Sequence, residues 1–177
     1  GINSDLQLIV NDRFAKAALA SDIVVDTSRI AISLRNMLLA TGKDDLRQQK
    51  ELVLETRKHI GENLDKLEKL VTLPKGKELL KLIFEARQKY IAGQEQFFRI
   101  MEEGKTDEAH QFMNNELRPT LTAYQSDLEK LSAFQEELMR HASEESQKSY
   151  EATRLQLISL SLVAVLLSLG LAFWITR

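Results

Sequence analysis

From Leu155 to Thr176 the sequence carries no charged residue. The run LISLSLVAVLLSLGLAFWI within it is long enough, at about 1.5 Å per helical residue, to cross a hydrocarbon layer roughly 30 Å thick. A buried core helix is the competing reading. Apolarity on every face, Trp174 near one end and the bracketing Arg154 and Arg177 point instead to a transmembrane helix. Ser159, Ser161 and Ser168 do not oppose this, because their hydroxyls can bond back to the helix. The chain stops immediately after Arg177, so a cytoplasmic portion is expected to follow. The opening GINSDLQLIV is too short and too polar to span, and an earlier membrane segment is expected before it.

The rest of the chain has few ways to be anything but helical. Seven glycines and two prolines in 177 residues are too few breakers for an all-β or alternating α/β design, while 44% hydrophobic and 28% charged residues suit amphipathic helices. The formal net charge is −2 with the two signs interleaved, which leaves no electrostatic footprint for nucleic acid. The absence of cysteine excludes disulfides, cysteine-bound zinc, iron–sulfur clusters and covalently attached haem.

Punctuation divides residues 1–154 into four helical stretches. The first, about 5–40, ends at ATGKDD, where Gly42 supplies the stop and Asp44 or Asp45 an N-cap for the second. The second ends near Leu70 at TLPKGKE, and the third runs from there to Glu103. After Gly104, Thr106 is expected to cap a continuation that meets Pro119, which must kink that helix or open a fresh one. The fourth then runs through Tyr150 towards the apolar segment. Short links between long helices favour antiparallel neighbours, so the expected architecture is an all-α, up-down-up-down four-helix bundle of residues 1–154, followed by a transmembrane helix at 155–176.

Heptads identify what the bundle buries. The second helix gives Leu46, Gln49, Val53, Thr56, Ile60, Asn63, Leu67 and Leu70, and the fourth gives Leu117, Leu121, Tyr124, Leu128, Leu131, Gln135, Leu138 and Ala142. In the third, the stripe Ile83, Tyr90, Phe97 is interrupted by Arg87. Counted from the turns at Asp44, Gly104 and Thr106, the intruders Thr56, Arg87, Tyr90 and Tyr124 agree in height within roughly 10 Å, and Arg29 on the first helix falls near the same level. A cation and three hydroxyls at one height suit the neutralisation and orientation of a small carboxylate. The alternative is that Arg87 reaches outward to a surface acid such as Glu85 or Glu95.

Other constellations carry less. Glu55 with His59 and Glu137 with His141 stand four apart on helices and read as surface ion pairs. A di-iron bundle would need Glu-x-x-His on two helices and a further Glu on each of the others, all facing inward. His110 lies near a helix start and reads as solvated. There is no glycine-rich phosphate loop, nucleophile elbow or catalytic acid–base pair, and the sequence reads as a non-enzyme without a cofactor or metal.

NDRF at 11–14 in a long first helix, GKTDEA at 104–109, ELRPTL at 116–121 and ITR at 175–177 after the apolar segment resemble the sensor domain of bacterial methyl-accepting chemotaxis receptors. The resemblance implies a periplasmic bundle between two membrane helices of the inner membrane, with a HAMP module, a methylated signalling hairpin and hence cytoplasmic signalling partners beyond Arg177. It also implies a homodimer whose interface is built largely from first helices. In amino-acid receptors of this architecture, first-helix arginines bind ligand carboxylates, and Arg29 and Arg35 are the counterparts. Six residues place them about 120° apart, too far for one tight clamp. Arg87, Tyr90 and Tyr124 are more similar to the organic-acid receptors, those for citrate and malate, in which the ligand sits inside one bundle. The expected ligand-binding set is therefore Arg87, Tyr90, Tyr124, Thr56 and Arg29. Signalling would pass through the fourth helix into the membrane helix. The ectodomain of a sensor histidine kinase and a ligand-free membrane-anchored scaffold are the alternatives.

Overall fold

The computed structural model describes the backbone of residues 2–176, and the side chains of all of them except 2–11, 146, 149 and 162–176. The described chain is helical apart from its turns: α1 (Ile2–Leu38), α2 (Lys43–Leu70), α3 (Pro74–Glu102), α4 (Thr106–Phe112), a π-helical turn (Met113–Leu117) and α5 (Arg118–Thr176). With α4 and the π turn leading into α5, these are the four legs of an antiparallel bundle. α1 packs closely on α2 and α5, and α3 packs on α5.

The helix ends follow from local chemistry, with two departures from expectation. α2 begins after Gly42, which is extended at φ −161 and gives no side-chain cap. Asp44 and Asp45 lie one step later, in the first turn, where they act on the exposed amides through charge rather than as N-caps. Likewise Thr106 opens α4 rather than capping it, and Lys105 precedes it. Pro74 occupies the start of α3, where its missing N–H costs nothing. Gly104 closes α3 with φ +73, the left-handed turn that a side chain would strain.

Pro119 stands in the first turn of α5, which follows the π-helical turn with no loop between them. Its ring presses on the carbonyl four residues back, at Asn115, and it has no N–H to offer there. The chain widens instead: the Arg118 N–H bonds to the Met113 carbonyl, five residues back, and the helix continues. Gly93 makes room for this turn on α3, since a Cβ there would stand 2.8 Å from Leu117 Cδ1.

The heptad reading of the core holds. Val53, Ile60, Asn63 and Leu67 of α2, Ile83, Tyr90 and Phe97 of α3, and Tyr124, Leu128, Leu131, Gln135 and Ala142 of α5 are all buried. On α1 the buried face is Ala20, Ile23, Asp26, Thr27, Ile30, Leu34 and Met37, and its two polar members hid it from the periodicity. Asp26 is a buried acid where none was expected. It accepts from Arg29 Nη1 at 3.0 Å and lies 2.5 Å from His59 Nδ1. His59 thus ties α2 to α1 instead of pairing with Glu55 along its own helix.

Beyond Ala142 every described side chain of α5 is exposed. Its backbone stays α-helical to Thr176. Among the described residues no helix is long and apolar enough to cross a membrane. The expected transmembrane segment falls largely on 162–176, outside the described side chains.

Candidate functional site

α2 and α3 make the least contact of the neighbouring legs, and long polar side chains close the seam between them. Arg57 donates to Gln94 Oε1 at 2.7 and 3.1 Å and to Glu95 at 2.6 Å, and Lys50 reaches Glu102 at 2.5 Å. Arg87 belongs to this seam. Its Nη2 donates to the backbone carbonyl of Arg57 at 3.1 Å, in the space left by the missing side chain of Gly61. Neither Glu85 nor Glu95 is its partner: Glu95 is taken by Arg57.

Tyr90 and Tyr124 come together in the interior with ring centroids 6.0 Å apart. Both are about 1% exposed, and neither hydroxyl meets hydrogen-bonding geometry with any neighbour. The Nε2 of Gln94 beside them is equally without a partner. Burial pushes the Tyr124 phenol up to about 12, partly offset by Thr27 and the Arg87 charge nearby. Burial raises Tyr90 still further, against the pull of Gln94, Arg57 and Arg35. Three unsatisfied groups at one place in a core are uncommon. Of the other expected site residues, Thr56 is half-buried on α2, and Arg29 is largely exposed in its ion pair with Asp26.

Tyr90 also forms the floor of a cleft of about 240 Å³ at the end of the bundle nearest Gly42 and Gly104. α1 contributes Leu34, Arg35 and Leu38. His110 enters from α4, Met113, Asn114 and Leu117 from the π turn, and Arg118 and Leu121 from α5. The widened turn is what aims this wall: an extra residue in one turn swings Asn114 and Arg118 relative to the straight-helix positions that a heptad count assumes. Among the described residues no carboxylate lies within 4.0 Å of the Arg35 or Arg118 guanidinium. Two cations with free donors, a histidine, an amide and a buried phenol therefore line a space the size of a small organic anion.

Arg118, His110 and Asn114 were missed in the heptad reading, and the available signal was Pro119, which announces an irregular turn just ahead of it. No group of three metal-binding side chains occurs among the described residues.

A helical bundle with a charged cleft at one end and a long last helix is compatible with a sensor module. The family comparison agrees. The chain belongs to the family described as the four helix bundle sensory module for signal transduction, whose model matches residues 1–150 and which supports the sensor domain of a methyl-accepting chemotaxis receptor. No curated protein matches the chain significantly.

Proposed function

We propose that residues 1–154 are the periplasmic ligand-binding domain of a methyl-accepting chemotaxis receptor in a bacterial inner membrane, and that its ligand is a small di- or tricarboxylate such as citrate or malate. The observation that carries this is the pair of guanidinium groups, Arg35 and Arg118, without a carboxylate partner among the described residues in a cleft that Tyr90 also lines. In this reading the ligand brings the negative charge that the cleft lacks. Arg87, Tyr124 and Thr56 shape the polar interior behind the cleft, and Arg29 holds Asp26. The segment 155–176 is the transmembrane helix, and α5 conveys the ligand's effect to it and to cytoplasmic partners. Ligand binding to the arrangement that α5 adopts with an occupied cleft would shift the balance between two arrangements of that helix.

The test is a melting series on the whole chain in detergent micelles. Citrate or malate at 100 times its dissociation constant stabilises by about 2.7 kcal/mol, whereas the neutral amides do not. A flat series across di- and tricarboxylates overturns the organic-acid reading.

The homodimer has support of its own. Phe14, Val25 and Ile32 lie on one face of α1 and Leu39 directly after its end, at spacings of eleven, seven and seven, and they are 48 to 74% exposed. Exposed apolar side chains that recur along one side of a bundle suit a surface for another protein, and seven-residue spacing suits a second copy of the same helix. Ile32→Glu is expected to leave helicity intact and to convert the dimer to a monomer in light scattering. A variant that stays dimeric moves the interface elsewhere.

A further inference from the structure

A second cleft opens at the other end of the four-helix region, where the turn between α2 and α3 meets α1 and α5. It measures about 410 Å³ and is walled by Asp12, Arg13, Lys16, Thr72, Gln135 and Leu138. At its base a recess of about 20 Å³ runs in between Val71 and Phe134. Gln135 borders both spaces. It is 2% exposed and its Oε1 accepts no hydrogen bond.

The lining carries both signs of charge. Arg13 spends Nη1 on the Leu138 carbonyl, which leaves its other N–H groups for the cleft. Lys16, with a side chain only 12% exposed, meets Asp12 at 2.5 Å. An enclosed acceptor without a donor is costly and calls for an N–H or O–H from outside. A lone anion would face Asp12 and leave Gln135 unsatisfied. A lone cation would face Arg13 and Lys16.

We propose that this cleft is a second ligand site, separate from the one at Arg35 and Arg118, and that it takes a small zwitterion with an ammonium and a carboxylate a few bonds apart. The ammonium donates to Gln135 Oε1 and Asp12, and the carboxylate accepts from Arg13 and Lys16. The recess admits one methyl-sized group. Gln135 lies about 25 Å along the helix from Arg118, so the two ligands do not meet. The position bears on signalling: the site joins α1 to α5 just before Ala142, the last buried residue described on α5, and an occupant ties those two helices together there.

The experiment is titration calorimetry on the whole chain in detergent micelles, with glycine and alanine as probes. Acetate, methylamine and trimethylglycine, which has no N–H, serve as controls. Saturable binding of glycine or alanine is expected, at least tenfold tighter than any control, and unchanged in excess citrate. Gln135→Met keeps the length of the side chain without its acceptor and is expected to lose at least tenfold in affinity at an unchanged or higher melting temperature. Lys16→Met keeps the stem without the charge and should lose a similar factor. Three results overturn the proposal: no saturable binding, which leaves the recess to a water molecule; equal binding of trimethylglycine; or displacement of glycine by citrate. Wild-type affinity in either variant does the same.

Discussion

Arg118→Ala is expected to weaken citrate or malate binding by roughly 10- to 100-fold, the effect of losing hydrogen bonds worth about 1.5–3 kcal/mol to a charged group. Arg35→Ala should cost a similar factor, and the double variant should show no binding. Both side chains are exposed and have no ion pair to lose, so the empty protein should keep its stability within about 0.5 kcal/mol. Arg87→Ala is the informative contrast. If the charge in the α3 stripe neutralises the ligand, its removal abolishes binding. If the cleft does so, Arg87→Ala loses one hydrogen bond to the Arg57 carbonyl and its packing over Gly61, while affinity stays near that of the unaltered chain. Calorimetry on the four variants separates these outcomes, and unaltered affinity in both Arg118→Ala and Arg35→Ala rejects the cleft.

The second large effect is alkaline unfolding driven by the two interior tyrosines. The folded state holds both phenols protonated above their ordinary value of 10.0, Tyr124 up to about 12 and Tyr90 beyond it, because burial disfavours the phenolate. The unfolded chain releases these protons near pH 10. Stability from the raised values is therefore complete below pH 10 and falls as pH rises towards 12, by about 1.4 kcal/mol per unit for each group. Across that window Tyr124 alone accounts for roughly 3 kcal/mol, and Tyr90 adds a loss of the same sign. Lysines titrate nearby, so the measurement is a comparison: chemical denaturation of the unaltered chain, Tyr124→Phe and Tyr90→Phe at pH 9 and at pH 11.5. Each phenylalanine variant should fall less steeply than the parent. Since neither hydroxyl makes a well-formed hydrogen bond, with Gln94 near Tyr90 and Thr27 near Tyr124 only as weak neighbours, both variants should stay close to the parent in stability at pH 9. Parallel slopes in all three proteins would show that the phenols ionise in place or not at all.

These two experiments bear on different links of one chain. The first concerns a charge that the bundle leaves for a ligand to supply. The second concerns polar groups that the bundle encloses without satisfying. Tyr90 belongs to both, as a residue lining the cleft and as half of the tyrosine pair.

What the sequence determined by itself was everything that repeats or stops locally. Glycines and prolines at 42, 74, 76 and 104 placed the turns, and seven-residue spacing placed Ile83, Tyr90 and Phe97, or Leu128, Gln135 and Ala142, in the interior. A helix buries a stripe whatever its partner, so that stripe is visible in one dimension. The tertiary structure decided which polar groups meet. Nothing local marked Asp26 as buried, and only the packing of α1 on α2 set His59 against it. Arg87 interrupted an apolar stripe without any local sign of its partner, and the seam between α2 and α3 supplied the Arg57 carbonyl. Arg118 looked like one more exposed cation until the widened turn before Pro119 brought it to the same cleft as Arg35, more than eighty residues earlier in the chain. Contacts of that kind depend on the rotation of each helix about its axis and on a single residue of extra winding, quantities that no local period records.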